Sequence, residues 1–187
     1  MGFRLNTEKT GFDIYRDLVY PKGAYILHMI RMMMWTPKDG DERFKATMQD
    51  FLNTYRMQAA TTEDFKAMVE KHMSPQMDLG QNHKMDWFFD QYVYGTDLPT
   101  YHFESQLTQN DKGTNLHFKL IQSSVTDKFR MPVPIYLELA DGKITRLGSV
   151  NITGNKTIDQ TVQLPNLPSA VKRAVINHNY DVLSIDN

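Results

Sequence analysis

At 187 residues, with 41% hydrophobic and 23% charged content, the chain can form one large domain or two small ones and bury a packed core. Its net charge of −1 is spread evenly. Residues 1–95 hold 12 basic and 13 acidic groups and residues 96–187 hold 9 of each, so neither half can track a phosphate backbone, which argues against nucleic acid as a partner. The absence of cysteine excludes disulfides and thiolate metal sites, and no apolar run reaches the roughly 20 residues that span a bilayer.

The opening run MGFRLNTEKTGFD carries no hydrophobic stretch of the signal-peptide kind. Its abrupt start reads as an initiator methionine set before a piece of a longer protein. Composition then changes near Gly95: eleven of the twelve methionines precede it and seven of the ten valines follow it. Helix formers thus give way to strand formers.

The first half predicts four helices. Pro21 suits the first position of a helix, where its missing N–H would be unpaired anyway. Ile26, Met29, Ile30, Met33 and Met34 then recur at helical spacing, with Tyr25, His28, Met32 and Trp35 on the other side, so this helix is apolar nearly all round and should be central. TPKDGDER breaks it. Phe44, Thr47, Met48, Phe51, Leu52 and Tyr55 form the stripe of a second helix. TTEDF supplies a capping threonine and first-turn acids for a third, whose inner face holds Phe65, Met68, Val69 and His72. SPQMDLGQNHK reads as a loop, and MDWFFDQYVYG as a short last helix ended by Gly95.

The second half alternates. TYHFESQL, NLHFKLIQ, VPIYLELA, KITRLGSVNI, TIDQTVQL and AVINHNYDVLSI are strand-like, with hairpin turns at QNDKG, ADGK and TGNK. Six or seven such strands predict a small antiparallel β-sandwich. The fold class is therefore α+β, with a helical part over residues 1–97 and a sandwich over 98–187.

Little chemistry stands out from the residues alone. The six histidines, His28, His72, His83, His102, His117 and His178, include no pair at i, i+4 and no His-Glu-x-x-His motif, so no metal site is expected within the chain. His28 reads as a core histidine, and His102 and His117 as surface or cross-strand residues. Met32, Met33 and Met34 point three ways on a helix and cannot converge on one ion, so they read as adaptable core filling. The triplets beginning at Asn151 and Asn155 are formal glycosylation sequons without an export context. Tyr101, Phe103, Phe118 and Tyr136 fall at strand spacing that suits core packing as well as a sugar platform.

The order of motifs adds more. VYPKGAYILHMIR, residues 19–31, resembles a signature segment of the aminopeptidase N-like zinc metallopeptidases, peptidase family M1 of the gluzincin clan. GDERFKATMQDFLNTYR, TTEDFKAMVEKH and MDWFFDQYVYGTDLPTYHF are similar to the pieces that follow it there, in order and spacing. The resemblance implies the C-terminal part of a thermolysin-like catalytic domain followed by the family's β-sandwich. It places Tyr20 at the position whose phenol donates a hydrogen bond to the oxyanion of the tetrahedral intermediate. It also implies zinc in the full-length parent, held by a His-Glu-x-x-His motif and a later glutamate, with a Gly-x-Met-x-Asn loop for the substrate's amino end. Neither motif occurs in these 187 residues. The implied partners are the remaining N-terminal and catalytic part of the parent and its peptide substrate. By itself the chain is expected to be inactive and to self-associate through faces the parent would cover. The competing reading is a non-catalytic protein-interaction or scaffold module derived from a metallopeptidase. The lack of cysteine is compatible with an exported bacterial parent and equally with a cytoplasmic one.

Overall fold

The computed structural model describes residues 11–111 and 113–185, with side chains from Val19 onward. Most of the opening run, residues 1–10, lies outside the described residues, as does Lys112 of the QNDKG turn. Among the described residues no helix is long and apolar enough to cross a membrane. The fold is α+β, four helices followed by antiparallel sheets, and it divides between Thr96 and Asp97 into two compact units.

In the first unit, α1 spans Gly11–Met34, α2 Glu42–Thr54 and α3 Thr62–His72. A single 3₁₀ turn at Pro75–Met77 follows, and a short α4, Asp86–Phe88, runs on as a π-helix over Phe89–Tyr94. Proline 21 does not open α1; it lies inside it. The missing N–H forfeits one backbone hydrogen bond, but the exposed ring faces solvent and the helix carries on through it. What holds α1 is its second half, where Met29, Ile30, Met32, Met33 and Met34 are all buried. The three consecutive methionines fill the core in three directions, as flexible thioether side chains can.

Helix α2 turns Phe51 inward against Phe65 of α3, ring centroids 5.3 Å apart and edge to face. Leu52, another residue of that stripe, is 61% exposed. Helix α3 opens on a reciprocal cap: Thr61 Oγ1 accepts from the Asp64 amide at 3.2 Å, and Asp64 Oδ2 accepts from the Thr61 amide at 2.8 Å. The expected loop after α3 is tied down at two points. The Met85 amide donates to Glu70 Oε1 at 2.9 Å, and the buried Trp87 indole donates to the Met77 carbonyl at 3.1 Å.

The second unit is a sandwich of two three-stranded antiparallel sheets, with β1 Thr100–Asn110, β2 Gly113–Ser123, β3 Arg130–Leu139, β4 Ile144–Thr153, β5 Lys156–Gln163 and β6 Val171–Ile176. The sheet orders are β1-β2-β5 and β4-β3-β6. The alternate positions Leu116, Phe118 and Leu120 of β2 are buried, and β3 is buried almost throughout, from Met131 to Leu137. Strand β3 holds Pro132 and Pro134 although it is the middle strand of its sheet. They are tolerated because β6 pairs only with Ile135 to Leu139, so both prolines sit where one edge of β3 has no ladder to lose. The expected last strand is shorter than its alternating pattern. It stops at Ile176, because Asn177 turns left-handed and binds the Val182 backbone through both its amide atoms.

One buried polar chain crosses this unit. Tyr101 Oη donates to Gln122 Oε1 at 2.9 Å, and Gln122 Nε2 donates to the Gly154 carbonyl at 2.8 Å. Gly154 has φ +68°, and a Cβ there would lie 3.0 Å from the Asp127 carbonyl, so the turn between β4 and β5 needs glycine twice over. Removing core volume from this unit has a predictable cost. Leu116→Ala should destabilise the protein by about 2–5 kcal/mol, seen as a lower urea midpoint with an unchanged slope, since Leu116 is fully buried.

Candidate functional site around Tyr20

Helix α1 has two characters. Its second half is core, while its first described side chains are open: Tyr20 is 66% exposed, Leu27 is 37% exposed, and Pro21 and Ala24 are exposed as well. The expectation of a helix buried along its whole length holds only from Met29 onward. Nor do Gly23 and Ala24 let α1 approach a neighbour closely, since a Cβ on Gly23 would meet nothing within 4 Å. Tyr20 is the most exposed of the large apolar or aromatic side chains described on this helix.

Lys22 fixes the orientation of this segment. Its Nζ donates to the Gly95 carbonyl at 3.2 Å, 73 residues away, where the π-helical stretch Phe89–Tyr94 ends. The partner is a carbonyl at a helix C-terminus, where orphan acceptors and the negative end of the helix dipole attract a cation. Partial burial lowers the Lys22 pKa, because desolvation disfavours the charged form. Gly95 ends that helix, but not by a left-handed turn. Its backbone is extended at φ −83°, and a Cβ there would lie 2.5 Å from the Gln91 carbonyl, so only glycine lets the chain leave so tightly.

The far end of α1 is held by a two-pronged ion pair. Arg31 Nε reaches Asp41 Oδ1 at 2.8 Å and Nη2 reaches Oδ2 at 2.5 Å, joining α1 to the residue before α2. Behind the Gly95 end lies an aromatic cluster. Phe88 packs on Trp87, Phe89 and Tyr92 with centroids 5.4–5.8 Å apart. Tyr20 therefore stands on a rod whose one end is pinned by a guanidinium and whose other side is tied to this cluster through Lys22.

No metal site fits the residues described. The histidines meet single carboxylates: His72 with Asp50 at 2.7 Å, His83 with Asp78 at 3.2 Å, His102 with Glu104 at 2.9 Å and His117 with Asp159 at 2.8 Å. His28 is half-buried rather than core and lies edge-on to Tyr25, centroids 6.2 Å apart. Among the described residues no three His, Asp or Glu side chains converge to hold an ion. The zinc implied by the sequence resemblance has no donor set here, and no chemical step of this chain is routed through it.

Comparison with known proteins follows the same division. Residues 3–92 match the sequence model of the Peptidase family M1 domain. A 59-residue stretch is 41% identical to the "Probable aminopeptidase 2" of Sulfurisphaera tokodaii, covering 32% of this chain and 7% of that protein. The fold matches the crystal structure of Legionella pneumophila aminopeptidase A in complex with aspartic acid, with a TM-score of 0.58 over 89% of this chain and 17% of that one. At 14% identity this last likeness concerns the fold alone. The family likeness therefore rests on residues 3–92, just under half of the chain, which are similar to the M1 peptidase domain. The chain spans only a small share of the length of either relative.

Sequence reasoning did not foresee the Arg31–Asp41 fork, although a lone arginine at a helix end and the acids of DGDER were both visible. Nothing in the sequence signals the tie from Lys22 to Gly95, which depends on two segments meeting in space. The fork has a pH signature. Its hydrogen bonds with Arg31 are the largest influence on the Asp41 carboxyl and hold its pKa below the usual carboxylate range against partial desolvation. A carboxyl depressed in the folded state stabilises the protein above its unfolded pKa of about 3.9, and that contribution fades as pH falls through the folded value. Wild type should therefore lead Asp41→Asn in urea midpoint at pH 6, with the gap closing below about pH 4.

Proposed function

We propose that this chain supplies the C-terminal helical part of an M1-type catalytic domain, residues 1–97, and the β-sandwich that follows it, residues 98–187, and that Tyr20 serves the parent enzyme as an oxyanion donor. The observation that carries this reading is a tyrosine 66% exposed on a helix whose second half is core, inside the segment that matches the family model. The chemistry suits a phenol. When water adds to a peptide carbonyl, charge gathers on the oxygen, and a neutral hydroxyl stabilises it by donating a hydrogen bond without giving up its proton. Lys22 and Arg31 act at a distance, fixing the helix that carries the phenol, and precise placement is what such stabilisation requires.

The division of labour follows from what the 187 residues hold. They contain no His-Glu-x-x-His motif and no described cluster of metal donors. Zinc and the general base belong, on this reading, to the remainder of the parent chain, which also buries the face around Tyr20. The substrates of the parent are peptides with a free amino end, and the present chain alone does not hydrolyse them.

Two measurements check this. Elemental mass spectrometry of the dialysed chain should find near-zero zinc, and aminoacyl-coumarin substrates should be hydrolysed no faster than in buffer; one tightly held zinc per chain overturns the reading. In the complete enzyme containing this segment, Tyr20→Phe should lower kcat by about 10²–10³-fold with little change in KM, the effect of losing one oxyanion donor. An unaltered kcat assigns Tyr20 to the surface and favours the scaffold reading.

A further inference from the structure

The last helix of the first unit is too short to hold its own end. It has three α-helical residues, Asp86–Phe88, and six π-helical ones, Phe89–Tyr94, and an isolated helix below about 12 residues is marginal in water. Such π-helical turns are rare and recur at functional sites. Yet the next residue, Gly95, supplies the carbonyl that Lys22 meets at 3.2 Å. Groups outside the helix must therefore fix where that carbonyl stands.

Burial of Trp87, Phe88, Phe89 and Tyr92 fixes the inner side. The outer side is gripped by α3. At the start of the helix, Lys66 Nζ donates to Asp86 Oδ1. The Lys66 side chain is only 16% exposed, and its ammonium also lies 3.6 Å from Glu63 and 3.8 Å from Glu70. At the end of the helix, Tyr94 Oη donates to Glu63 Oε1 at 2.5 Å. One turn of α3, Glu63 to Lys66, thus holds both the first and the last residue of Asp86–Tyr94. That turn is itself anchored. Asp64 closes the cap with Thr61 and accepts from Tyr55 Oη, on the residue that ends α2, at 3.0 Å.

The Tyr94–Glu63 pair lies in the open: Tyr94 is 53% exposed and the Glu63 side chain 63%. Pairs so exposed contribute little to stability. Its place in the chain is what sets it apart. The bond is charge-assisted, it is made by a stiff ring, and it sits on the residue immediately before the Gly95 carbonyl. The hydrogen bond to Glu63 also raises the Tyr94 pKa above its ordinary value, so the phenol stays a donor.

We infer that Glu63 and Tyr94 are positioning residues for Tyr20. The Glu63 carboxylate holds the Tyr94 phenol, the phenol sets the Gly95 carbonyl where Lys22 meets it, and Lys22 fixes the segment of α1 that carries Tyr20. The catalytic part of this role rests on the oxyanion reading of Tyr20. The mechanical part, from Glu63 to Lys22, is readable in the chain alone.

The first test follows the Lys22 ammonium by NMR in the full chain, labelled with ¹⁵N-lysine, the signal being identified by its loss in Lys22→Arg. In wild type it should persist at low temperature and titrate below an ordinary lysine, since the group is partly buried and hydrogen-bonded. Tyr94→Phe keeps the ring and removes the donor. It should broaden the signal and let the Lys22 pKa rise, while the melting temperature moves by less than about 4 °C. Glu63→Gln keeps an acceptor and should retain the signal, whereas Glu63→Ala should lose it. Both remove the same charge, so a purely electrostatic role in α3 predicts no difference between them. An unchanged Lys22 signal in Tyr94→Phe and Glu63→Ala overturns the inference.

The second test uses the complete enzyme containing this segment. Tyr94→Phe should lower kcat by about tenfold with KM little changed, and should add nothing in a Tyr20→Phe background, because it acts through that phenol. Losses that multiply in the double variant overturn the positioning role. If Tyr20→Phe leaves kcat unaltered while Tyr94→Phe still releases Lys22 in the chain, the mechanical tie stands and the oxyanion reading fails.

Discussion

Lys22 reaches across 73 residues of chain to the carbonyl of Gly95, and the arrangement of the helical unit turns on that contact. It joins the exposed half of α1 to the end of the last helix, at the one residue small enough to let the chain leave between the Asp90 and Gln91 carbonyls. The contact is modest in energy, since a hydrogen bond of a charged donor contributes on the order of 1.5–3 kcal/mol before solvent screening. Its importance is geometric. The methionine-rich half of α1 is fixed by burial and the Arg31 end by its fork with Asp41, while the segment around Tyr20 has little burial to hold it. Lys22 gives that segment a definite place.

Burial and exposure along α1 explain why a family relationship and an open helix face occur together. Apolar area buried by Met29 to Met34 stabilises the unit at roughly 25 cal/mol per Å², which is ample to carry a proline in the middle of the same helix. The same driving force leaves Tyr20, Ala24 and Leu27 facing solvent. The likeness to the M1 domain falls on this half of the chain, residues 3–92.

The sandwich solves a different problem. Its core is assembled from alternate residues of β2 and a nearly continuous buried run in β3, and it is crossed by one satisfied polar chain from Tyr101 through Gln122 to Gly154. Burial pushes the Tyr101 phenol well above its ordinary pKa, so it stays neutral and donates at any physiological pH. Six strands split into two sheets leave four edges, and among the described residues β1 pairs with β2 along its whole length in unbroken register.

Much of this was legible before any coordinates. The methionine spacing of α1, the Thr61–Asp64 cap and the alternation of β1 to β5 all act through neighbours in sequence, where periodicity and capping rules are direct statements of local physics. The motif order around Tyr20, Lys22 and Gly23 pointed to the family in the same way. Local rules failed where distant groups decided. Pro21 looked like a helix start because the sequence could not weigh one missing hydrogen bond against the burial of Met29 to Met34. The strand pattern of AVINHNYDVLSI overran Ile176 because Asn177, bound to Val182, could not be seen to turn the chain. The sequence by itself determined the α+β class, the position of the helices and strands, and the kinship of the helical half. Only the tertiary structure decided that Lys22 meets Gly95, that Tyr20 is exposed, and that β3 can hold two prolines, because each depends on which groups reach one another after the chain has folded.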